Sequence, residues 1–424
     1  PVDPGASIPL DWHPVRSSEE RPVKKNEPWW KSAVLYQIYP RSFADSSGTG
    51  TGDLRGITEK LPYLADLGID AIWISPFFES PMRDFGYDVQ NHRNVDPLFG
   101  TNADFDALLA RAHELGIRVL IDLVLSHCAD THAWFRACLE GRGSAYDDAF
   151  IWVEPAADGG PPNNWLSVFG GPAWTYHEGR NQYYLHNFLS SQPDLNYHNP
   201  MVREEALSIA RYWLDKGVDG FRLDAINFCL HDPELRDNPQ ASAPDGQCVQ
   251  LGNPYGTLLH IYDKNHPEMP SFLEELRAVM DSYEDRVTLG EIGASREESQ
   301  ALMGEYTRPG RLNLCYSFDL LSMPFRASEF RRLIRRLAVE DDDSWGCWAF
   351  SNHDAMRAAT RLDGPPEAVA PLSLALLLSF RGTPCLYQGE ELGLEEAEIP
   401  YDKLVDPYGI AFYPDFKGRD GCRT

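Results

Sequence analysis

The sequence predicts an α/β fold, an eight-stranded parallel (β/α)8 barrel with an inserted domain, and three observations support this prediction. Short apolar runs that suit strands buried on both faces recur along the chain. Most of these runs precede a segment whose apolar residues have helical spacing. The alternation breaks after the third strand, at a long stretch rich in Gly, Pro and aromatic residues. An open doubly wound sheet is the alternative, but its usual Gly-rich first turn is absent from the sequence.

The first half of the barrel is predicted from its apolar periodicity. Three strands alternate with two helices, and we predict these five elements at 33–39, 59–67, 71–75, 104–115 and 118–125. From residue 127 to 194 the chain is irregular, with its clearest strand at 183–186. Because this stretch is so rich in Trp, Tyr and Phe, we expect a folded insertion rather than a disordered linker.

The second half resumes the alternation. Its helices and strands are predicted at 202–214, 220–224, 272–282, 287–289, 312–316, 323–338, 348–350, 367–380 and 383–387. A second irregular stretch at 228–264 is expected to lie as a long loop over the open end of the barrel. Residues 388–424 have no long amphipathic pattern, so the chain lacks an obvious last helix.

The composition excludes several classes of partner. A formal net charge of −26 over 424 residues makes nucleic acid or an anionic membrane an unsuitable partner and suits a neutral small molecule. No apolar run is long enough to span a bilayer. The eight cysteines include no C-x-x-C pair and show neither zinc-site nor disulfide-framework spacing, so we predict reduced thiols in a cytoplasmic protein.

Polar residues suited to catalysis follow the predicted strands, whose carboxyl ends meet at one face of such a barrel. Each residue alone has a structural interpretation, because a lone His-Asp pair or a Glu after a strand is usually a hydrogen-bonded or capping group. Their occurrence together at one face indicates a catalytic site. The residues are Tyr87, Asp88, Asp122, Ser126, His127, Arg222, Asp224, Glu291, His353 and Asp354.

The spacing of these residues favours a particular reaction. Arg222 and Asp224 are two apart on a strand, so the guanidinium is expected to lower the pKa of the carboxyl and keep it ionised. A purely structural Arg–Asp pair is the alternative. Glu291 has no cationic neighbour in sequence and is expected to keep its proton near neutral pH. Carboxyl groups without a metal cluster or phosphate loop indicate glycosyl transfer, in which a retaining enzyme holds nucleophile and acid roughly 5–5.5 Å apart.

These residues lie in motifs that resemble the α-amylase family of glycoside hydrolases, in its oligo-1,6-glucosidase and α-glucosidase branch. The resemblance covers nearly all of the chain from Trp29 onward, and the motifs are specific in combination although each is weak alone. The motifs are Asp122-Leu-Val-Leu-Ser-His127, Gly220-Phe-Arg-Leu-Asp224, Gly290-Glu-Ile-Gly293, Ser351-Asn-His-Asp354 and Gln192-Pro-Asp-Leu-Asn196.

The resemblance implies a role for each residue. It implies Asp224 as nucleophile, Glu291 as acid/base and Asp354 as transition-state stabiliser. It also implies further contacts to the sugar, from Tyr87, Asp88, His127, Arg222, His353 and a substrate-side Arg357.

The resemblance also bears on the pocket's closure. Arg419, in Gly418-Arg419-Asp420-Gly421, is implied to pair with Asp88 and block the far side of the pocket, with Arg423 as the weaker candidate for that partner. Such a pocket would accept single terminal glucose units. The implied domains are an irregular lead and a catalytic barrel interrupted by a substrate-binding insertion, with boundaries at 1–28, 29–126, 127–194 and 195–424.

The sequence departs from the family pattern in three places. Ser126 replaces the Asn that usually precedes the histidine of the third strand. The loop 45–53 resembles a cation site of the branch, but only Asp45 and Asp53 remain as carboxylates, so a structural calcium or magnesium ion there is disfavoured and no cofactor is expected to be required. The chain ends where the family continues into the last helix and a C-terminal β-domain, so we expect a piece of a longer or nicked polypeptide and a complementary C-terminal fragment as its partner.

The expected function is hydrolysis of terminal α-1,4-linked glucose from small α-glucosides or oligosaccharides. In the branch, Val after the nucleophile accompanies α-1,6 activity and Thr or Ala accompanies α-1,4 activity, so Ala225 favours α-1,4 substrates. Transfer of glucose to other hydroxyl acceptors is expected as well. The alternatives are an α-1,6-glucosidase, a trehalose or isomaltulose synthase type of isomerase, and, remotely, a non-catalytic interaction protein. The sequence predicts no oligomeric state.

Overall fold

A computed structural model describes residues 27–242, 252–294, 296–337 and 345–423. The predicted lead at 1–28 lies outside these ranges except for its last two residues. Residues 243–251 of the predicted loop at 228–264, including Cys248, also lie outside them.

Eight parallel strands close into a barrel, which confirms the predicted TIM-type fold. The strands of the described chain are β1 (Leu35–Ile38), β2 (Ala71–Ile74), β3 (Phe78–Glu79), β4 (Asn91–Val95), β5 (Arg118–Val124), β6 (Trp152–Val153), β7 (Trp174–His177), β8 (Gln182–Leu185), β9 (Gly220–Asp224), β10 (Val287–Glu291), β11 (Leu314–Ser317), β12 (Gly346–Trp348) and β13 (Thr383–Tyr387). The ring runs β1-β2-β5-β9-β10-β11-β12-β13, and β13 pairs with β1 to close it.

Helices connect most of the barrel strands, and capping residues in the sequence mark where several of them begin and end. For example, Asp53 caps one helix by accepting the Gly56 N–H, and Gly68, at φ 88°, terminates it. The helices are α1 (Pro40–Phe43), α2 (Leu54–Leu67), α3 (Asn102–Glu114), α4 (Ala133–Leu139), α5 (Pro200–Lys216), α6 (Met269–Met280), α7 (Arg296–Tyr306), α8 (Asp319–Ser322), α9 (Ala327–Leu337), α10 (Ala358–Arg361), α11 (Pro366–Leu377), α12 (Pro407–Phe412) and α13 (Asp420–Arg423).

Two clusters of apolar residues pack against the barrel strands, one inside the ring and one between the ring and the helices. Inside the ring, a cluster of buried side chains that includes Trp73, Leu289 and Tyr316 comes from seven of the eight strands. Outside it, fully buried Trp213 of α5 packs its ring 5.1 Å from that of Phe105 on α3. The strands are therefore buried on both faces, which explains why their sequences are apolar without alternation.

Several elements of the structure were not predicted from the sequence, among them the short helices α1, α4, α8 and α10. The helix α7 has few apolar residues, so it gave no strong periodic signal. The hairpin of β3 and β4 was missed because its first strand has two residues. The insertion contains a separate antiparallel sheet in the order β6-β8-β7, of which only β8 was anticipated.

The region after β13, residues 388–423, which we call the C-terminal segment, consists of short turns of helix. Its α12 and α13 have six and four residues, in agreement with the absence of a long amphipathic pattern. The segment packs back on the barrel mouth, where the Tyr387 hydroxyl of β13 donates to the Cys422 carbonyl at 2.6 Å. Among the described helices, none combines the length and apolar character needed to cross a bilayer.

The register of the parallel strands positions the site. Asp122 on β5 is the backbone partner of Arg222 on β9, and Arg222 in turn is level with Leu289 on β10. The carboxyl ends of these three strands therefore meet at one rim of the barrel, as the sequence predicted.

Gly220, where β9 begins, is required by close backbone packing. A Cβ at this position would lie 2.2 Å from the Val287 carbonyl oxygen of β10. Gly220→Ala should therefore destabilise the protein by about 1–3 kcal/mol, because the strands must separate. Gly304→Ala, in α7, is the matched control, since its Cβ would meet nothing within 4 Å. The control should be neutral or stabilising by roughly 0.5–1 kcal/mol. Thermal unfolding midpoints measure both, and equal midpoints for the two variants would contradict the packing argument.

Candidate active site

One buried arginine holds three carboxyl groups at the rim of the barrel, and we call this group the Arg222 cluster. Arg222 is fully buried, and its Nη1 donates to Asp122 Oδ1 at 2.8 Å and to Asp224 Oδ1 at 2.6 Å. Its Nη2 lies 2.5 Å from Glu291 Oε1. The guanidinium also lies 4.9 Å from the ring of Trp73, which completes its enclosure. The cluster thus comprises Arg222, Asp122, Asp224 and Glu291.

Burial controls the protonation of these carboxyl groups. It raises the pKa of Asp122 to about 6, and those of Asp224 and Glu291 to about 7, while the charge of Arg222 lowers all three. The expectation that Arg222 holds the pKa of Asp224 below its usual range was therefore wrong, because desolvation outweighs the attraction. The expectation that Glu291 keeps its proton near neutral pH is confirmed, although Arg222, distant in sequence, contacts it in the fold. One guanidinium cannot keep three buried carboxyl groups ionised, so the cluster retains a proton near neutral pH.

The two strand-end carboxyls are held differently. Asp224 accepts an aligned hydrogen bond from Arg222 Nη1. In contrast, Arg222 Nη2 has no hydrogen-bond partner in the described chain despite its proximity to Glu291. Glu291 is oriented instead by the N–H of Ala225, which donates to Oε2 at 3.0 Å. Ala225 has the left-handed conformation, with φ 40°, and the tight turn it makes directs that N–H at the carboxyl.

The third predicted carboxylate, Asp354, is held ionised by cations of the C-terminal segment. Its Oδ1 accepts from Arg419 Nη1 at 3.0 Å and from Arg423 Nη2 at 2.8 Å, and His353 Nε2 lies 3.1 Å from Oδ2. Burial raises the pKa of Asp354, but His353 and the two arginines lower it well below the usual range. Its side chain is 35% exposed, more than either carboxyl of β9 or β10. Asp354 therefore presents an ionised carboxylate to the opening.

His353 is neutral and fixed by its neighbours. Its ring stacks on Tyr87, with centroids 5.2 Å apart, and Nε2 lies 2.5 Å from the Tyr87 hydroxyl. Gln37 Nε2 donates to Nδ1 at 2.7 Å, which places the ring proton on Nε2. Burial lowers the pKa of His353 to about 3. Both predicted residues thus line the site as uncharged hydrogen-bonding groups.

His127 lies on the insertion side of the site. Its Nδ1 lies 2.9 Å from the hydroxyl of Ser126, and its Nε2 lies 3.2 Å from the side-chain nitrogen of Gln192. Burial lowers the pKa of His127 to about 4, so the ring is neutral. The aromatic ring of Phe188 packs 4.9 Å away, tilted against the imidazole. The Ser126 departure from the family pattern therefore leaves the histidine with a hydrogen-bond partner.

The predicted pairing of Asp88 with Arg419 was wrong. Asp88 is fully buried, and its oxygens accept the N–H groups of Arg83 and Asp84, so the carboxyl closes its own turn instead of reaching the pocket. Arg419 Nη2 instead lies 3.3 Å from Asp84 Oδ1, four residues earlier in the chain. Asp84 also accepts from Gln192 Nε2 at 3.0 Å. The carboxylates Asp84 and Asp88 flank the same Phe-Gly-Tyr, and the sequence alone could not say which of them points inward.

Arg419 and Arg423 bind the C-terminal segment to the site. Arg419 Nη2 donates to Asp406 Oδ1 at 2.7 Å, and Arg423 Nε donates to the His353 carbonyl at 2.9 Å. Asp406 was missed from the sequence, because nothing in its local pattern distinguishes it from a turn residue. The segment thus brings two cations to Asp354.

The prediction that Arg357 lies on the substrate side of the site was also wrong. It is 3% exposed, and Nη1 donates to the Gln388 carbonyl at 2.7 Å while the guanidinium covers the ring of Tyr387. These contacts hold the end of β13 to the C-terminal segment. Arg357 therefore supports the site from behind.

The carboxylates of the loop 45–53 do not fit a structural cation, because backbone N–H groups already bind them. Asp45 accepts the N–H groups of Ser47, Gly48 and Gly50, and Asp53 caps α2. These donors occupy the oxygens that a divalent cation requires. Across the described ranges, no group of three or more His, Cys, Asp or Glu is arranged to hold a metal. The expectation that a structural cation is disfavoured at this loop stays a prediction.

Arg222 should be essential for stability in a pH-dependent manner. Without its charge, the three buried carboxyls have pKa values raised far above those of the unfolded chain, so folding would take up protons. The stability of Arg222→Met should therefore fall as pH rises from about 4 through 8, with a loss of about 3–5 kcal/mol near neutral pH. Arg286→Met is the control, because its partner Asp219 keeps Arg118 and His113. Unfolding midpoints at pH 5 and pH 8 test this, and a pH-independent loss in Arg222→Met would contradict it.

Comparison with known proteins places the chain in a family. The family model described as "Alpha amylase, catalytic domain" matches residues 37–424. A "Probable alpha-glucosidase" of Rhizobium meliloti (strain 1021) is 55% identical over 413 residues, which cover 95% of this chain and 74% of that relative. An "Oligo-1,6-glucosidase" of Heyndrickxia coagulans is 39% identical over 436 residues, covering 93% of this chain and 76% of that relative.

Solved structures agree with these relatives. The crystal structure of the alpha-glucosyl transfer enzyme XgtA is 55% identical with a TM-score of 0.91, and the match covers 94% of this chain and 75% of that one. The trehalulose synthase MutB from Pseudomonas mesoacidophila MX-45 is 34% identical with a TM-score of 0.84 and the same coverage. With the family's model matched over nearly the whole chain and its carboxyl groups gathered at one rim of the barrel, the chain belongs to the α-amylase family and is a glycoside hydrolase.

Proposed function

We propose that the chain is a retaining, exo-acting α-glucosidase that releases terminal α-1,4-linked glucose from small α-glucosides or short oligosaccharides. The observation that carries this proposal is the difference in protonation between the carboxyl groups of the site. Asp224 and Glu291 share one buried arginine and have pKa values raised to about 7, while Asp354 is held ionised by two arginines. A retaining reaction requires an ionised nucleophile beside a protonated acid, and Asp224 and Glu291, which share one cation, would supply that pair by holding one proton between them near neutral pH.

The roles follow from the hydrogen bonds. Asp224, with an aligned bond from Arg222, attacks the anomeric carbon as a carboxylate and forms the glycosyl ester. As the glycosidic C–O bond breaks, its electron pair goes to the departing oxygen, which takes the proton of Glu291. Water, deprotonated by the same Glu291, then cleaves the ester and returns the proton to the carboxyl.

The remaining polar residues suit the charge and shape of a sugar. Asp354 faces the opening as an anion and would stabilise the positive charge that develops at the anomeric centre. His353 and His127 are neutral, so they would donate and accept hydrogen bonds with hydroxyl groups without adding charge. Tyr87, stacked on His353, would lie beside the sugar ring.

The C-terminal segment supports exo action. Arg419 bridges Asp84 and Asp354 from the two sides of the site and is itself anchored by Asp406. A bridge of this kind would block a sugar chain from continuing beyond the terminal glucose. We therefore propose that the pocket accepts a single glucose unit on this side.

Linkage and transfer are proposed on the resemblance and the relatives. Ala225 follows Asp224, and Ala at this position accompanies α-1,4 activity in the branch. The similarity to an alpha-glucosyl transfer enzyme supports transfer of glucose from the ester to hydroxyl acceptors other than water. The ester itself favours neither outcome, since any oxygen nucleophile that enters after the first product leaves can attack it.

Two other functions deserve a direct test. The similarity to a trehalulose synthase favours an isomerase as the second candidate, and the relatives that are oligo-1,6-glucosidases favour α-1,6 hydrolysis as a variant of the first. A non-catalytic interaction protein is disfavoured, because Asp224, Glu291 and Asp354 are all present and gathered at the rim.

The cellular location of the protein also stays a proposal. Cytoplasmic location is supported by the seven cysteines of the described chain, all of which are buried and unpaired. The described residues give no oligomeric state.

A panel of substrates tests the proposed function. Maltose, isomaltose, sucrose and aryl α- and β-glucosides should be compared, with products resolved over time. We expect free glucose from maltose, faster than from isomaltose, no cleavage of β-glucosides, and the α-anomer as the first product detected by proton NMR. Asp224→Ala should lose turnover by a factor of 10⁴ or more, on the order of the effect of removing a nucleophile. Asp106→Ala, which removes a surface carboxylate paired with Lys216, is the control.

Each contrary outcome has a definite meaning. A rearranged disaccharide from sucrose with little free glucose would support the isomerase. Release of the β-anomer would contradict a retaining mechanism, and full turnover by Asp224→Ala would overturn the assignment of the nucleophile.

The pH dependence should separate the two carboxyls of β9 and β10. With both pKa values raised to about 7, kcat/KM of the wild type should fall at low pH as Asp224 takes a proton and at high pH as Glu291 loses one. Glu291→Gln, assayed with an activated aryl α-glucoside, should lose the alkaline limb, because the amide has no proton to lose. Its acid limb should stay in place, because Glu291 is already protonated and uncharged where Asp224 titrates, and burial with the charges of Asp122 and Asp354 still raises the pKa of Asp224. A retained alkaline limb would contradict the role of Glu291.

A further inference from the structure

A buried asparagine joins the segments that follow the two carboxyls of β9 and β10. Asn227 is fully buried, three residues after Asp224, and Gly293 is two residues after Glu291. Asn227 Nδ2 donates to the Gly293 carbonyl at 3.0 Å, and the Gly293 N–H donates to Asn227 Oδ1 at 3.1 Å. One side chain thus pairs with both backbone groups of one residue, as a neighbouring strand would.

Other contacts fix the orientation of this amide. Asn227 Nδ2 also donates to Asn265 Oδ1 at 2.6 Å, so the nitrogen lies between two acceptors and Oδ1 necessarily faces the Gly293 N–H. The Asn265 N–H donates in return to the Asn227 carbonyl at 2.9 Å. Lys264 Nζ donates to the same Gly293 carbonyl at 3.0 Å. We call the paired contact between Asn227 and Gly293 the amide clamp.

The amide clamp lies where the backbone pairing between β9 and β10 stops. In this strand pair the last paired residues are Leu223 and Gly290, one residue before each carboxyl. Asp224 and Glu291 still pair on their outer sides, with Val124 of β5 and Tyr316 of β11, but no backbone pairing joins them to each other, so the contacts that follow are what connects their two segments. The N–H of Ala225 contributes one such contact to Glu291, and the amide clamp contributes two more a few residues on.

We propose that Asn227 is a positioning residue that sets the place of Glu291 relative to Asp224 and so controls proton transfer to the departing oxygen. This proposal rests on the proposed function. Asn227 is not a catalytic residue, because it acts on the backbone after Glu291 and does not touch the reacting atoms.

The chemistry predicts a specific defect when the clamp is lost. In the first step, the C–O bond breaks with its electrons on the departing oxygen, and Glu291 supplies the proton that neutralises it. A departing alkoxide needs that proton, whereas a dinitrophenolate is stable without it. If Glu291 is displaced from its place beside Asp224, cleavage of alkyl glucosides should suffer while cleavage of an activated aryl glucoside should be nearly preserved.

The experiment compares kcat/KM for maltose and for 2,4-dinitrophenyl α-glucoside in the wild type and in Asn227→Ala. We expect a loss of roughly 10- to 100-fold on maltose, part of what general acid catalysis contributes, and a loss below about threefold on the aryl glucoside. Asn227→Asp is the second variant, assayed at its own pH optimum. It keeps the acceptor for the Gly293 N–H and loses the donor, and it decides the question if the alanine variant does not fold.

Asn313→Ala is the matched control. Asn313 Oδ1 accepts from the N–H of Thr288 at 2.9 Å and from its hydroxyl at 3.0 Å, at the opposite end of the same strand β10. Its loss should lower the unfolding midpoint without any difference between the two substrates.

The outcomes are distinguishable. A wild type that cleaves neither substrate refutes the proposed function itself. A wild type that cleaves both, with Asn227 variants that lose equally on both substrates or lose nothing, overturns the positioning role. The same substrate dependence in Asn313→Ala would also overturn it, because general loosening of β10 would then suffice.

Discussion

The burial of a single guanidinium among three carboxyl groups is the constraint on which the site depends. Arg222 reaches its partners because β5, β9 and β10 are neighbours in register, so that Asp122, Asp224 and Glu291 all come within reach of one side chain. Charges this deeply enclosed are tolerated only when paired, and here there are fewer cations than anions. The deficit leaves a proton in the cluster near neutral pH. The fold therefore determines the acid–base chemistry through strand order and register.

Around Asp354, on the other side of the site, attraction to cations prevails over burial. These cations come from residues far away in sequence. Asp354 follows β12, but the charges that hold it ionised belong to Arg419 and Arg423 of the C-terminal segment. That segment has little regular structure and several exposed apolar side chains, such as Leu392 and Val405. Its contribution is electrostatic, because it delivers two guanidinium groups to one carboxylate. Regular secondary structure is not needed for that, since Asp406 and the backbone anchor the arginines.

The sequence predicted the barrel well because doubly buried strands must be apolar, and it predicted the rim residues because strand ends meet at one face. Predictions failed where they depended on the direction of a side chain or on burial. Asp84 and Asp88 are indistinguishable in sequence, yet one faces Arg419 and the other closes a turn. Arg357 was expected near the substrate, but it donates to a backbone carbonyl behind the site. The pKa of Asp224 was predicted in the wrong direction, because sequence spacing shows an adjacent charge and does not show desolvation.

The different protonation states of the carboxyl groups follow from the number of cations that each one contacts. One guanidinium serves Asp122, Asp224 and Glu291, so burial prevails and their pKa values rise. Asp354 contacts His353 and two guanidinium groups, one of them shared with Asp84 and Asp406, so attraction prevails and its pKa falls. Side chains of one chemical type thereby acquire different protonation states within one cavity, without any metal being invoked. A cation moved from Asp354 to the Arg222 cluster would therefore raise the pKa of Asp354 and lower those of Asp224 and Glu291, which the charge of Asp354 itself helps to raise.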